Sequence, residues 1–328
     1  MRTKAKGVNY AKYGYIFSIP FMLAFILFTM YPLFNTAYMS FTDYAGVAAR
    51  QSGEMNLLDD PLELYKGLIF DNELFRQSMR NTFFIWTVNF IPQISLALLL
   101  TAWFTSRRNK FKGMGLFKIL FYMPNIITAG SIAFLFNVLF APFGPVNYLL
   151  YDWLGILDER FIFIESSLAS QLIIAFIQFW MWYGYTMLIL IAGVLGLNPE
   201  MYECAEIDGA NAVKQFFFIT LPNLKTILLF VLVTSTVGGL TMFDVPRLFN
   251  DGAPRNATHT LAMFIFNQAY GGKFFLNRAA AASMIVFVII AVLSIVVFYL
   301  LRDKDAARER KELRALKRSQ KNKLKGVS

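Results

Sequence analysis

Six runs of about twenty or more mostly apolar residues recur along this 328-residue chain, at about 13–39, 82–104, 117–140, 168–195, 225–249 and 278–301. Each is long enough, as an α-helix, to cross the roughly 30 Å hydrocarbon core of a bilayer. Backbone facing lipid must satisfy its own hydrogen bonds, which excludes open sheets and lipid-exposed loops. The expected fold class is therefore all-α, a polytopic membrane protein with six transmembrane helices. Composition agrees: 57% of residues are hydrophobic and only 16% are charged, too few charges for a soluble domain of this length.

The placement of basic residues orients these spans. Residues 1–12 carry Arg2, Lys4, Lys6 and Lys12 with no acid. The run that follows is too long for a signal-peptide core, so it reads as an uncleaved first span with a cytoplasmic N-terminus. Arg107, Arg108, Lys110 and Lys112 form a compact basic loop between spans two and three, and 302–328 is a basic cytoplasmic tail. Six crossings return the chain to its starting side, so parity and charge agree. The acid-rich stretch 40–81, the stretch 141–167 with Arg160 as its one basic residue, and 250–277, with a turn at Asp251–Pro254, are expected outside. Pro92 is a candidate kink in span two, Pro124 and Asn125 fall in the first turns of span three, and Ala279–Ala282 allow close helix packing in span six. The net charge of +10 comes from the termini and one loop, where topology needs it, and does not indicate nucleic acid. The tail suits anionic lipid headgroups.

No GxxxxGK[ST], GxSxG, HExxH or CxxC occurs. One cysteine, Cys204, excludes an intramolecular disulfide, and with one histidine, His259, it cannot build a Cys/His metal cluster. The chain is expected to be no enzyme, to hold no catalytic or metal site, and to need no cofactor of its own.

The polar interruption Asn198–Pro222, on the inner side by parity, carries Glu200, Glu203, Glu206 and Asp208 against Lys214. Asn198 can accept from the first free amides of a helix, Pro199 suits its first position, and Gly209 can supply a left-handed stop. Phe216, Phe217, Ile219 and Leu221 form an apolar patch before Pro222. A short acidic helix, a bend and a second short helix outside the lipid suit contact with a partner protein.

The residues Glu203, Cys204, Ala205, Asp208, Gly209, Ala210, Phe216, Ile219, Leu221 and Pro222 resemble the EAA loop of ABC importer permeases, with Cys204 where that family usually has alanine. The resemblance runs from about Tyr13 to Leu301, with weaker matches at Asn81, Thr82, Phe121 and Pro124. It implies a type I importer permease of the carbohydrate-uptake class, similar to the maltose and glycerol-phosphate permeases, multi-pass in the bacterial cytoplasmic membrane. The implied partners are a second homologous permease, two ATPase subunits that hold ATP and Mg, and an extracellular solute-binding protein. Glu203 would be anchored by the ATPase, Gly209 would set the bend, and Phe216 with Leu221 would hold the loop on its own membrane helices.

A candidate substrate pathway follows from depth. Gln178, Trp180, Trp182, Tyr183 and Tyr185 bracket the midpoint of span four, and Thr234, Ser235, Thr236, Gly238 and Gly239 that of span five. Polar atoms are costly at this depth unless they face water, protein or substrate. Aromatic faces with polar tips suit a sugar ring, and Gln178, Trp182 and Tyr185 share one stripe at i, i+4 and i+7. The resemblance implies the same region: Gln178, Met181, Trp182, Tyr185, Ser235, Gly238, Gly239 and Met242 match positions that line the sugar site in similar maltose permeases. Helix packing is the competing reading for the aromatic stripe and for the glycines. Asp244 and Arg247, near the outer end of span five, are either a structural pair or a gate or receptor contact. Two rivals to a sugar importer stand beside it: the same machinery carrying glycerol phosphate or another polar solute, and a multispan membrane enzyme or stand-alone carrier.

Overall fold

The structure, a computed structural model, describes residues 11–106, 112–272 and 274–302. Arg2, Lys4, Lys6, Arg107, Arg108, Lys110 and the tail beyond Arg302 lie outside the described residues. The chain forms two compact units, one of residues 1–76 with 263–287 and one of 77–262 with 288–328.

In the first unit, span one runs Tyr13–Met39, and none of its most apolar window is buried within the chain. It is apolar all round, as a helix facing lipid or another subunit must be. Its middle turn, Ile26–Met30, widens to a π-turn, with the Tyr31 amide donating to the Ile26 carbonyl. Pro32 follows directly; its ring would crowd the Phe28 carbonyl in a regular α-turn, and widening relieves that clash. Beyond the span, Ser40 and Thr42 are fully buried. Ser40 Oγ lies 2.6 Å from the Tyr65 hydroxyl, and Asn277 Nδ2 donates to the Thr42 carbonyl at 3.0 Å. Phe75 packs edge-on against Phe264, centroids 5.2 Å apart. The stretch 250–277, expected outside the membrane, contains a helix, Leu261–Tyr270, in which Leu261, Met263 and Phe264 are buried.

In the second unit, spans two, four and five dominate. Span two is Glu73–Thr105, nine residues longer at its start than expected; span four is Ser167–Leu195. Ser166 caps span four through its hydroxyl, which accepts from the Ala169 amide at 3.4 Å.

Two spans expected as single helices are broken. Span three consists of Met114–Ile126 and Ala129–Leu139, bent by 91°. Pro124 withholds a backbone donor, Ile127 and Thr128 are extended, and Thr128 Oγ1 restarts the helix by accepting from the Ser131 amide at 3.3 Å. Asn125 Nδ2 donates to the Met181 carbonyl at 3.2 Å and ties the break to span four. Span five divides into Lys225–Leu240 and Asp244–Asn250. Pro246 cannot bond the Met242 carbonyl four residues back; Thr260 Oγ1 takes it instead, at 2.9 Å. Non-helical backbone at membrane depth persists where protein buries it or a cavity borders it; the break in span five meets that condition, since Thr241, Met242 and Phe243 line a cavity, whereas Ile127 and Thr128 in span three are exposed within this chain.

The unit has two core clusters. One gathers Ile85, Ile132, Phe136, Ile174, Ile177, Met181, Met242 and Phe249; the other Ala97, Phe104, Tyr183, Met187, Leu190, Leu224, Leu228 and Val231. In lipid this burial gains little from leaving water, so close packing has to do more. Gly184 shows how close: a Cβ there would lie 2.1 Å from the Phe121 carbonyl oxygen.

Candidate functional site

Between these two clusters lies a cavity of about 390 Å³. All eight pathway residues of the sequence reading border it: Gln178, Met181, Trp182, Tyr185, Ser235, Gly238, Gly239 and Met242. Asp244 joins them at the break in span five. Helical spacing explains most of the convergence: positions 178, 181, 182 and 185 share one face of span four, and 235, 238 and 239 one face of span five, while Met242 reaches the cavity from the break after Leu240. Trp182 and Tyr185 meet edge to face with centroids 5.8 Å apart, and both stay exposed to the cavity.

Other candidates separate. Tyr183 is buried and packs on Phe121 and Phe179, and Trp180 packs on Phe136, so these two aromatics serve helix contact. Thr236 is buried and returns its hydroxyl to the Leu232 carbonyl at 2.8 Å. Arg247 is not among the lining residues; its guanidinium pairs with Asp251, one turn on.

The sequence reading passed over Asn89 and Gln93 of span two and Thr186 of span four, all lining and all at least nine-tenths buried. Gln93 Nε2 donates to Thr186 Oγ1 at 2.9 Å and to Ser235 Oγ at 3.3 Å. A signal existed: Asn89 and Gln93 are amides at i and i+4 within an apolar run, one face in the middle of a span.

The polar loop is built as a helix, bend and helix. Asn198 Oδ1 accepts from the Glu200 amide at 3.1 Å, and the first helix runs Glu200–Ile207, starting one residue later than expected from Pro199. Gly209 takes φ +77, a conformation that favours glycine. The second helix, Ala212–Gln215, is capped by Asn211, whose side chain accepts from the Lys214 amide at 2.8 Å. Phe216–Thr220 widens to a π-turn ahead of Pro222, as in span one. Tyr202 and Thr220 hydroxyls, 2.9 Å apart, tie the first helix to that turn.

Glu203, Cys204, Asp208, Gly209 and Pro222 are exposed; Ala205, Ala210, Phe216 and Leu221 are half-buried. Leu221 packs against the second core cluster. Ile207 is 86% exposed, an apolar residue at the tip of an acidic helix. Among the described residues, no group of three His, Cys, Asp or Glu side chains is placed to hold a metal ion.

His259 sits in a loop of the stretch expected outside, and its side chain is buried. Its Nδ1 lies 2.9 Å from Ser78 Oγ. Burial pushes the imidazole below its usual range; Asp251 opposes that shift and Arg247 adds to it.

Comparison with known proteins places this geometry. Residues 72–308 match the family model described as binding-protein-dependent transport system inner membrane component. The lactose transport system permease protein LacF of Rhizobium radiobacter is 29% identical over 91% of this chain and 95% of its own length. The arabinooligosaccharides transport system permease protein AraP of Bacillus subtilis (strain 168) is 29% identical over 86% of each chain. A crystal structure of a bacterial ABC transporter involved in import of the acidic polysaccharide alginate shares the fold, with TM-score 0.71 and 21% identity over 88% of this chain and 94% of that one. The chain belongs to the family of binding-protein-dependent transport system inner membrane components: it is a multi-pass subunit of a bacterial importer rather than an enzyme.

Proposed function

We propose that this chain forms one half of the translocation pathway of an ATP-driven importer, and that its cargo is a sugar or oligosaccharide. The cavity carries the proposal. Its wall pairs aromatic faces, Trp182 and Tyr185, with neutral hydrogen-bonding groups, Asn89, Gln93, Gln178, Thr186, Thr234 and Ser235. That combination matches a pyranose, with CH faces for the rings and hydroxyls for the amides and alcohols. Lactose and arabino-oligosaccharide permeases among the relatives support the same cargo class. Among the lining residues Asp244 carries the one full charge and none is basic, so a phosphate-bearing cargo is the poorer match.

ATP and Mg belong to two partner ATPase subunits in this reading, and an external binding protein delivers cargo to a pair of homologous permeases. The loop 198–222 is the contact with the ATPase. Glu203, Cys204, Ala205, Asp208, Gly209 and Ala210 form its outward part, while Phe216, Leu221 and Pro222 anchor it to the membrane helices. Nucleotide-driven closure of the ATPases moves the loop, and the loop moves spans four and five, turning the cavity from one side of the membrane to the other. Uptake by the reconstituted complex across a panel of neutral and acidic oligosaccharides together with glycerol phosphate tests the proposal. ATP-dependent accumulation of a neutral sugar is expected; accumulation of glycerol phosphate alone would replace the cargo, and accumulation without ATP would replace the mechanism.

A further inference from the structure

One side chain in the cavity wall joins three spans. Gln93 of span two is 6% exposed, and its amide nitrogen reaches Thr186 of span four and Ser235 of span five. Both acceptors line the same cavity. Seven residues earlier on the same face of span two, the Trp86 ring seats on Gly239, where a Cβ would fall 2.1 Å from Trp86 Cδ1. Gly239 is four residues from Ser235, so the contact between spans two and five is a seam with a steric upper point and a polar lower point. The Trp86 indole nitrogen is buried with no hydrogen-bond partner among the described residues. The steric point therefore holds by shape, and the polar point is the one that a polar ligand can compete for. Pro92, next to Gln93, cannot donate to the Val88 carbonyl, which softens span two at this level.

We propose that Gln93 is a positioning residue, a latch that holds spans two, four and five together while the cavity is empty and is released by cargo. Cargo hydroxyls are donors and acceptors of the same kind as those Gln93 engages. A sugar entering the cavity can take over the Thr186 and Ser235 hydroxyls and the Gln93 amide together. Span five then moves relative to span two without leaving a polar group unpaired in the membrane, which an empty cavity does not permit. The inference rests on the transport reading above and adds the means by which occupancy of the site permits the conformational change.

The test uses the complete reconstituted complex with its ATPase and binding protein, with lactose and arabino-oligosaccharides as probe sugars. Gln93→Leu keeps bulk and removes both donors. Its ATPase rate without sugar is expected to rise about threefold to tenfold, the change that corresponds to losing one or two neutral hydrogen bonds. Stimulation by sugar should shrink in proportion. Gln93→Glu keeps the reach and, with its carboxyl neutral as burial favours, donates to one hydroxyl and accepts from the other, so its sugar-free rate should fall between those of the wild type and Gln93→Leu; a role in packing alone would make this variant the worse of the two. Thr186→Val removes the shorter bond without touching Gln93 and should also raise the sugar-free rate, which keeps the test alive should Gln93→Leu fail to assemble. An unchanged sugar-free rate in assembled Gln93→Leu or Thr186→Val would overturn the latch. A wild-type complex that neither probe stimulates would count against the cargo reading, and the sugar-free rates would still decide the latch.

Discussion

The cavity wall and the polar loop both interrupt apolar sequence with polar residues, and they do so in opposite ways. In the wall, Asn89, Gln93 and Thr186 are buried, and the Gln93 amide bonds across to Thr186 and Ser235. In the loop, Glu203, Glu206 and Asp208 are exposed, and an apolar Ile207 is exposed with them. A wall that satisfies its own polar groups suits a ligand that comes and goes. A loop that presents acids around an apolar tip suits a protein surface that stays in contact. The difference teaches that the two sites should fail differently when mutated: the loop through assembly or coupling, the aromatic wall through affinity, and Gln93 through the sugar-free ATPase rate.

The largest expected effect lies in the loop. Glu203→Lys should abolish uptake while the protein remains in the membrane, measured by transport beside membrane content; undiminished uptake would remove the docking role. Next is the seam beside the cavity. Gly239→Val forces a side chain into the Trp86 ring and should lower the melting temperature of the complex, with a cost of about 1–3 kcal/mol as for an overpacked core. Its neighbour offers the control: a Cβ at Gly238 meets nothing within 4 Å, so Gly238→Ala should melt no lower than the wild type. Equal losses at both glycines would break the distinction between seam and open wall.

Within the wall, Trp182→Ala or Tyr185→Ala should raise the sugar concentration for half-maximal uptake about tenfold, on the order of 1.4 kcal/mol, without weakening ATPase association. A fall in maximal rate with unchanged half-saturation would assign both rings to packing. The smallest effect is expected at His259. Its depressed value means that the folded state favours the neutral ring. The stability it contributes is complete above the free imidazole value near 6.5 and is lost as pH falls through that value toward the lower folded one. Melting temperature against pH should therefore slope downward on acidification, and less steeply in His259→Asn.

The loop was legible in sequence because its signals are contiguous. Asn198, Gly209 and Pro222 punctuate one stretch of chain, and a pattern over twenty residues identifies it. The wall was half legible. Helical spacing grouped Gln178, Trp182 and Tyr185 on one face of span four, and the resemblance to maltose permeases implied the other five lining residues, Met181, Ser235, Gly238, Gly239 and Met242. Span two was missed because Asn89 and Gln93 acquire meaning only when three helices meet, and pairing between helices is not written in the spacing of one. Trp180 and Tyr183 show the converse, since depth alone does not say which face of a helix turns to a cavity. Pro124 and Pro246 sit at the breaks in spans three and five, yet both segments remain apolar through the break, so hydropathy reads each as one span. The burial of His259 could not be seen in sequence, because it depends on Ser78, 181 residues away.

The account depends most on the cavity changing sides when the loop is driven. With Cys204 replaced by alanine and Tyr185→Cys as the sole thiol, labelling by a membrane-impermeant maleimide can be followed in oriented vesicles of the full complex. The account predicts labelling from the inner face without nucleotide and from the outer face when the ATPases are trapped with nucleotide. Labelling from one and the same face in both states would contradict it.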